Sequence, residues 1–261
     1  MPLSPTSQLK ANEELNEPCN PDEVIERARA LVIELIGADE QRRFEWALLA
    51  MLRQAKWDVD RAVKRMAALS GYAGRHPELF RDASAGEFVG QASVGMMTHL
   101  PVRNSRGELV LLVDGEKLTP YAKDYTLTDM LRFSVFYMSV IMRDEETQVN
   151  GVIILENLEN YPLTALSRMS GTSLSGIKSC FDWMHMSPLR LRGIYACSQP
   201  WYVTAMLKMV SPFMPKKLRD RVYLFGDDFG AMLVAAGLTA DQVPPRFGGT
   251  LEGFDYAWHL R

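Results

Sequence analysis

Hydrophobic positions are absent as a pattern from the first stretch of the chain. Residues 1–19 are polar, with Pro, Ser, Asn and Glu, and are expected to form a flexible lead-in. Asn20 then stands at an N-cap, with Pro21 at the first helical position and Glu23 three residues after the cap. Val24, Ala28, Leu31, Val32 and Leu35 recur at helical spacing until Gly37 ends the run. A second helix follows Asp39, with Phe44, Ala47, Leu48, Met51 and Leu52 on one face. Asp58 caps a third, with Val59, Ala62, Val63, Met66 and Ala67 inside. Short amphipathic helices with brief connections predict a small all-α three-helix domain over residues 20–75. Residues 76–92 read as a linker holding one helical turn.

From Ser93 the period changes. Val94 to Val102 reads as a strand, 104–107 as a turn, and Leu109-Val110-Leu111-Leu112-Val113 as a buried strand. A long helix runs from Thr126 to about Glu146. Strands at Val152–Leu155, Leu191–Cys197 and Val222–Phe225 alternate with helices at Leu174–Met186, Pro200–Met209 and Phe229–Ala236. Strands separated by helices need crossover connections, so residues 93–261 are expected to be an α/β domain. Its sheet is mixed, mainly parallel and flanked by helices.

Composition adds exclusions. With 47% apolar residues over 261 positions the chain can bury a core, and a formal charge of −3 argues against a nucleic-acid partner. The odd cysteines Cys19, Cys180 and Cys197 form neither a disulfide framework nor a zinc pattern, which suits a reducing, cytoplasmic setting. The polar N-terminus is unlike a signal peptide, and no run is long enough to span a bilayer. A soluble monomer is expected.

No catalytic motif is present. Gly171-Thr172-Ser173-Leu174-Ser175-Gly176 approaches a nucleophile elbow, but its fifth position is Ser175 and no strand leads into it. Phosphate-binding glycine motifs are missing, and His76, His99, His185 and His259 lack metal spacing. Neither a catalytic residue, a metal nor a cofactor is expected, and the chain reads as a non-enzyme.

Apolar surface is the unusual feature. The stretch 200–213 carries Trp201, Tyr202, Met206, Met209, Val210 and Phe213 on nearly every side. It is either a fully buried helix or, with Lys216-Lys217-Leu218-Arg219-Asp220-Arg221 directly after it, a membrane-facing element. The basic run alone also fits a solvated helix face. Along the long helix, Leu131, Phe133, Val135, Phe136, Met138, Val140 and Ile141 leave little polar face. Ser134 among them either orients a ligand's polar atom or bonds to its own backbone.

These residues resemble the CRAL-TRIO family of lipid-binding proteins. The likeness is nearest to the branch of the alpha-tocopherol transfer protein and cellular retinaldehyde-binding protein. It runs from about residue 22 to the C-terminus. Met51-Leu52-Arg53-Gln54-Ala55-Lys56-Trp57-Asp58-Val59 resembles FLRARKFDV, and Glu146-Thr147-Gln148-Val149-Asn150-Gly151 resembles ETQxNG. Pro188-Leu189-Arg190-Leu191-Arg192-Gly193-Ile194 resembles PLKxRGI, Ser211 to Arg221 the PFL…K…R segment, and Val243 to Gly249 the LPxEYGG ending.

The resemblance implies a lipid pocket lined by Leu131, Ser134, Val135, Met138, Val152, Ile154, Trp183 and Ile194. It implies a mobile gate helix of Trp201, Tyr202, Met206, Met209, Val210 and Phe213. It also implies a phosphoinositide-binding patch of Arg190, Lys217, Arg219 and Arg221. The function so implied is carriage of a tocopherol-like, retinoid-like or phospholipid ligand. The ligand would be released at phosphoinositide-containing membranes during transient peripheral association. The alternative is a phosphoinositide-binding trafficking adaptor with no transported ligand.

Departures from the family pattern are Ala55 for Arg, Met138 for a hydroxyl, Glu156-Asn157 for an apolar-Asp pair, Asn160 for Gly, and Arg246 for Glu. Arg246 is expected to cost an ion pair. Glu156 shares strand parity with Val152 and Ile154. It is expected either to meet a ligand's polar end, to pair with Arg132 or Arg168, or to sit at a wet pocket mouth.

Overall fold

The computed structural model describes residues 3–162, 182–211, 214 and 216–256. Its first helices are α1 (Pro5–Leu15), α2 (Pro21–Ile36), α3 (Ala38–Arg43), α4 (Glu45–Gln54), α5 (Val59–Arg75), α6 (Pro77–Phe80) and α7 (Ala85–Ser93). Strands β1 (Met97–His99) and β2 (Leu109–Asp114) precede α8 (Leu118–Asp124), α9 (Leu127–Ile141) and α10 (Glu145–Asn150). Then come β3 (Val152–Asn157), β4 (Leu191–Cys197), α11 (Trp201–Val210), α12 (Lys216–Arg219), β5 (Val222–Leu224) and α13 (Phe229–Ala236). Residues 182–186 are also helical.

The chain divides into two compact units, neither continuous in sequence. The helical unit holds residues 3–82, 128–151 and 182–190. Within it, Pro21 opens α2, and Gly37 stops it at φ +87°, a conformation that favours glycine. Asp58 caps α5 by accepting the Arg61 N–H at 3.0 Å. α2 and α4 pack on α5 through Ala28, Val32, Ala47, Leu48, Ala62 and Met66, all buried.

Several elements depart from the sequence expectation. The second helix breaks into α3 and α4 at Phe44, whose buried ring meets Phe80 edge-on at 5.8 Å. The lead-in is not flexible over Pro5–Leu15. Ser4 caps α1, and Ala11 and Leu15 bury against Val149. The expected long helix is two: α9 stops at Ile141, and Asp144 caps α10 by accepting the Glu146 and Thr147 N–H groups. α9, α10 and 182–190 fall with the helical unit rather than with the sheet. α10 packs on α1 and α4, while Trp183 stacks on Tyr72 and meets Phe80 edge-on.

The second unit holds residues 83–127, 152–162 and 191–256 of the described chain. It contains α7, within the stretch expected to be linker, and a five-stranded sheet in the order β1-β2-β3-β4-β5. β1 runs antiparallel to β2, and β2 through β5 are parallel. One face presents Val110, Leu112, Ile153, Leu155, Tyr195 and Cys197. Met232, Leu233 and Ala236 of α13 seal it, together with Val243 and Phe247. That seal needs Gly249, since a Cβ there would lie 1.8 Å from the Val243 carbonyl oxygen. The other face presents Leu111, Val113, Ile154, Glu156, Ile194 and Ala196 in register.

Candidate functional site

That second face is where the sheet departs from ordinary packing. Ile153 and Leu155 on the α13 side are fully buried, as central-strand residues should be. Ile154 and Glu156 on β3, Val113 on β2 and Ile194 on β4 are only half-buried, although β3 has a strand on each side. Ile154 and Ile194 are register partners and stand side by side. Val152, expected beside them, is fully buried between Leu109 and Leu191. Val113 was not foreseen, yet its parity with Leu111 in an apolar run was the available signal.

The remaining expected pocket residues lie in the helical unit. Leu131, Val135 and Met138 are buried along α9. The Ser134 hydroxyl oxygen accepts the Trp183 indole N–H at 3.0 Å rather than bonding to its own backbone.

Glu156 is the one ionisable group in the cross-strand row Met97, Val113, Glu156, Ala196 and Leu224; in the neighbouring row of the same face, His99 of β1 is the register partner of Leu111. The register partners of Glu156 are Val113 and Ala196, and Ile154 precedes it on the same face. It is half-buried and keeps some accessible area. Among the described residues it has no hydrogen-bond or ion-pair partner. Burial alone pushes its carboxyl up from 4.5 to about 7. Of the partners expected, Arg132 donates instead to the Asp82 carbonyl at 3.3 Å, and Arg168 lies outside the described residues.

α11 packs beside this face through Val203, which meets Ala196 and Leu158 with Tyr202, Tyr161 and Leu207 around them. The Tyr202 hydroxyl donates to the Tyr161 carbonyl. The helix is not fully buried: Trp201 is 81% exposed and Met209 63%. With Ala205 and Lys208 they form one outward stripe. Phe213 and the side chains of Met206 and Val210 lie outside the described residues.

The four arginines and lysines expected to bind phosphoinositide are not alike. Lys217 and Arg219 are exposed on α12, beside exposed Lys216. Arg221 is half-buried and donates to the Leu191 carbonyl; burial and neighbouring Arg192 push it down, though a guanidinium stays charged. Arg190 belongs to the helical unit, where it pairs with Glu14 at 3.0 Å and donates to the Val149 carbonyl. Arg192, given no role in the sequence reading, joins Arg106 on the buried carboxylate of Glu108, at 3.2 and 2.9 Å.

Arg246 overturns the expected loss. Its guanidinium meets buried Asp114 at 2.8 Å, Glu116 at 2.9 Å and Glu159 at 2.5 Å. Among the described residues no three His, Cys, Asp or Glu gather as a metal site requires. Nor is any described helix long and apolar enough to cross a membrane.

Comparison with known proteins agrees with this architecture. The CRAL/TRIO domain model matches residues 95–249. Clavesin-1 of Rattus norvegicus is 26% identical over 97% of this chain and 71% of its own length. Clavesin-2 of Homo sapiens is 27% identical over 97% of this chain and 76% of its own length. Among solved structures, that of Sfh5 superposes with a TM-score of 0.53 at 11% identity, covering 98% of this chain and 91% of that one, a likeness of fold. With a half-open apolar sheet face, a sealed opposite face and a model match over more than half its length, the chain belongs to the CRAL/TRIO domain family of lipid-binding proteins.

Proposed function

We propose that this protein carries one hydrophobic, lipid-like molecule against the second face of its sheet and exchanges it at anionic membranes by displacement of α11. The observation that carries the proposal is the accessible row Val113, Ile154, Glu156 and Ile194 in the middle of the sheet. A filled core leaves no such row, because interiors pack to crystal density. Removing about 400 Å² of apolar ligand surface from water would contribute on the order of 10 kcal/mol before ordering costs. A ligand so held leaves slowly into water and needs an apolar exit. Trp201 and Met209 on the outer stripe of α11 supply one at a bilayer interface, and Lys216, Lys217 and Arg219 supply attraction to anionic headgroups. No step in this cycle makes or breaks a covalent bond, so the reading is a carrier and not an enzyme.

Transfer of a fluorescent lipid between neutral donor vesicles and phosphoinositide-containing acceptors tests the cycle. Lys217→Ala with Arg219→Ala is expected to slow transfer about thirtyfold, at about 1 kcal/mol per basic residue near the surface. Ligand occupancy should not change. Unaltered transfer removes the basic segment from the mechanism. Headgroup binding with no transferable lipid would instead favour an adaptor that senses membranes without cargo.

A further inference from the structure

Helix α11 begins at a strained joint. The chain leaves β4 through Ser198, at φ +51°, a left-handed conformation that costs a residue with a Cβ. The Ser198 N–H donates to the Gly226 carbonyl at 2.6 Å, and Pro200 then opens the helix. Beyond this joint α11 rests on residues 157–161, the turn at the end of β3. Leu158 packs against Val203, and the Tyr202 hydroxyl donates to the Tyr161 carbonyl. Among the described residues, that hydroxyl is the polar side-chain tie between α11 and the rest of the second unit. The turn is itself clamped. Its Leu158 N–H donates to the Cys197 carbonyl at 2.9 Å, and the Asn157 side-chain oxygen accepts the Glu159 N–H at 2.9 Å. The Asn157 side-chain amide donates to the Arg246 carbonyl at 2.6 Å, and the Arg246 guanidinium reaches Glu159 at 2.5 Å while it also holds Asp114 and Glu116. The Tyr161 ring lies against Gly115, where a Cβ would stand 2.8 Å from the ring and 3.0 Å from the Asn157 carbonyl oxygen. Arg246 therefore grips the turn twice, through its main chain and its side chain, and the turn grips α11 twice, through Leu158 and Tyr161.

We propose that Arg246 is a positioning residue for α11: by clamping residues 157–161 it keeps the Tyr161 carbonyl under the Tyr202 hydroxyl, and so sets how often the helix swings open. The inference rests on the reading of α11 as the element displaced during exchange. A hydrogen bond weakens steeply as its distance and angle drift, so an acceptor on a loose turn holds a hydroxyl poorly. Arg246 has two separable roles here. Its pair with buried Asp114 supports the sheet, whereas Glu159 is exposed, and an exposed pair adds little to global stability. What the Glu159 pair does is fix the turn that bears the acceptor. A glutamate at position 246, as in the resembling family, could not make this pair, so the clamp belongs to this chain.

Hydrogen exchange of the α11 amides in the full chain, read by mass spectrometry without added lipid, tests the clamp. Tyr202→Phe removes only the hydroxyl and should quicken that exchange about fivefold, the usual worth of one hydrogen bond. Glu159→Gln should quicken it about threefold. Arg246→Lys, a point charge that can hold Asp114 without spanning to Glu159, should match Glu159→Gln. Exchange in α13 on the sealed face should stay as in wild type, whereas a general loosening of the fold would raise it too. Tyr202→Phe combined with Glu159→Gln should be no faster than Tyr202→Phe alone, because the clamp acts through that hydroxyl. Unchanged α11 exchange in Glu159→Gln and Arg246→Lys, or effects that multiply in the double variant, overturn the proposal. The same variants are then loaded with a fluorescent phospholipid and mixed with phosphatidylcholine vesicles. Faster α11 exchange with faster release of the phospholipid supports both readings. Faster α11 exchange with unchanged release keeps the clamp and overturns α11 as the exit.

Discussion

Arg246 illustrates how a reversed charge can be absorbed by its surroundings. Where relatives in the resembling family carry Glu, this chain has an arginine on a buried Asp114, with Glu116 and Glu159 within reach. Those carboxylates hold it well above the ordinary arginine range, with the Asp114 hydrogen bond first among the causes. Arg246→Ala is expected to destabilise the sheet unit by about 2–3 kcal/mol in urea unfolding, because Asp114 loses its charged donor in a buried position. Arg246→Glu should cost more, since it adds a like charge to three carboxylates. The substitution was legible in sequence; its partners, far apart along the chain, were not.

Glu156 makes stability depend on pH. Its carboxyl rises from 4.5 toward about 7 on folding, so the folded state binds the proton more tightly. Below the unfolded value both states are protonated and nothing is lost. As pH climbs through the window to about 7, stability falls, and above it the full penalty of about 3 kcal/mol applies. Glu156→Gln should therefore be more stable than wild type at pH 8, and equal to it near pH 4, in unfolding titrations of ligand-free protein. Strand parity alone exposed this residue in the sequence. That no described residue pairs with it required coordinates.

At the scale of elements, β2 was legible because Leu109–Val113 is a continuous apolar run of strand length bounded by a turn. Helix α1 was not, because it buries only Ser7, Ala11 and Leu15, too few positions to make a period. Tertiary partners hold the segment instead. Arg53, 2% exposed, takes both oxygens of Glu17 at 2.8 and 2.9 Å, and adds Glu145 and the Gln148 side-chain oxygen. Glu17→Gln should cost about 2 kcal/mol, less than an unpaired buried arginine would, because Glu145 remains. Proteolysis within residues 1–20 should quicken with it. The outward stripe of α11 predicts the converse. Trp201→Ala with Met209→Ser, at exposed positions, should leave unfolding unchanged within about 0.5 kcal/mol while lipid transfer falls. Loss of stability in that variant would mean the stripe packs on protein.

At the scale of the whole molecule, the family and the alternation of strands with helices were readable, because both live in local pattern and motif. The partition into units was not. Residues 128–151 and 182–190 join the helical unit through contacts such as Trp183 on Tyr72 and Phe80, which no local signal announces. A lipid held on the half-open sheet face should accompany the protein through purification. Native mass spectrometry of the purified full chain, followed by organic extraction and identification of what is released, tests it most directly. One hydrophobic molecule of defined mass per protein chain is expected, lost on extraction and restored by incubation with lipid extract. A protein that is empty when isolated, and remains empty after exposure to such extracts, would contradict it.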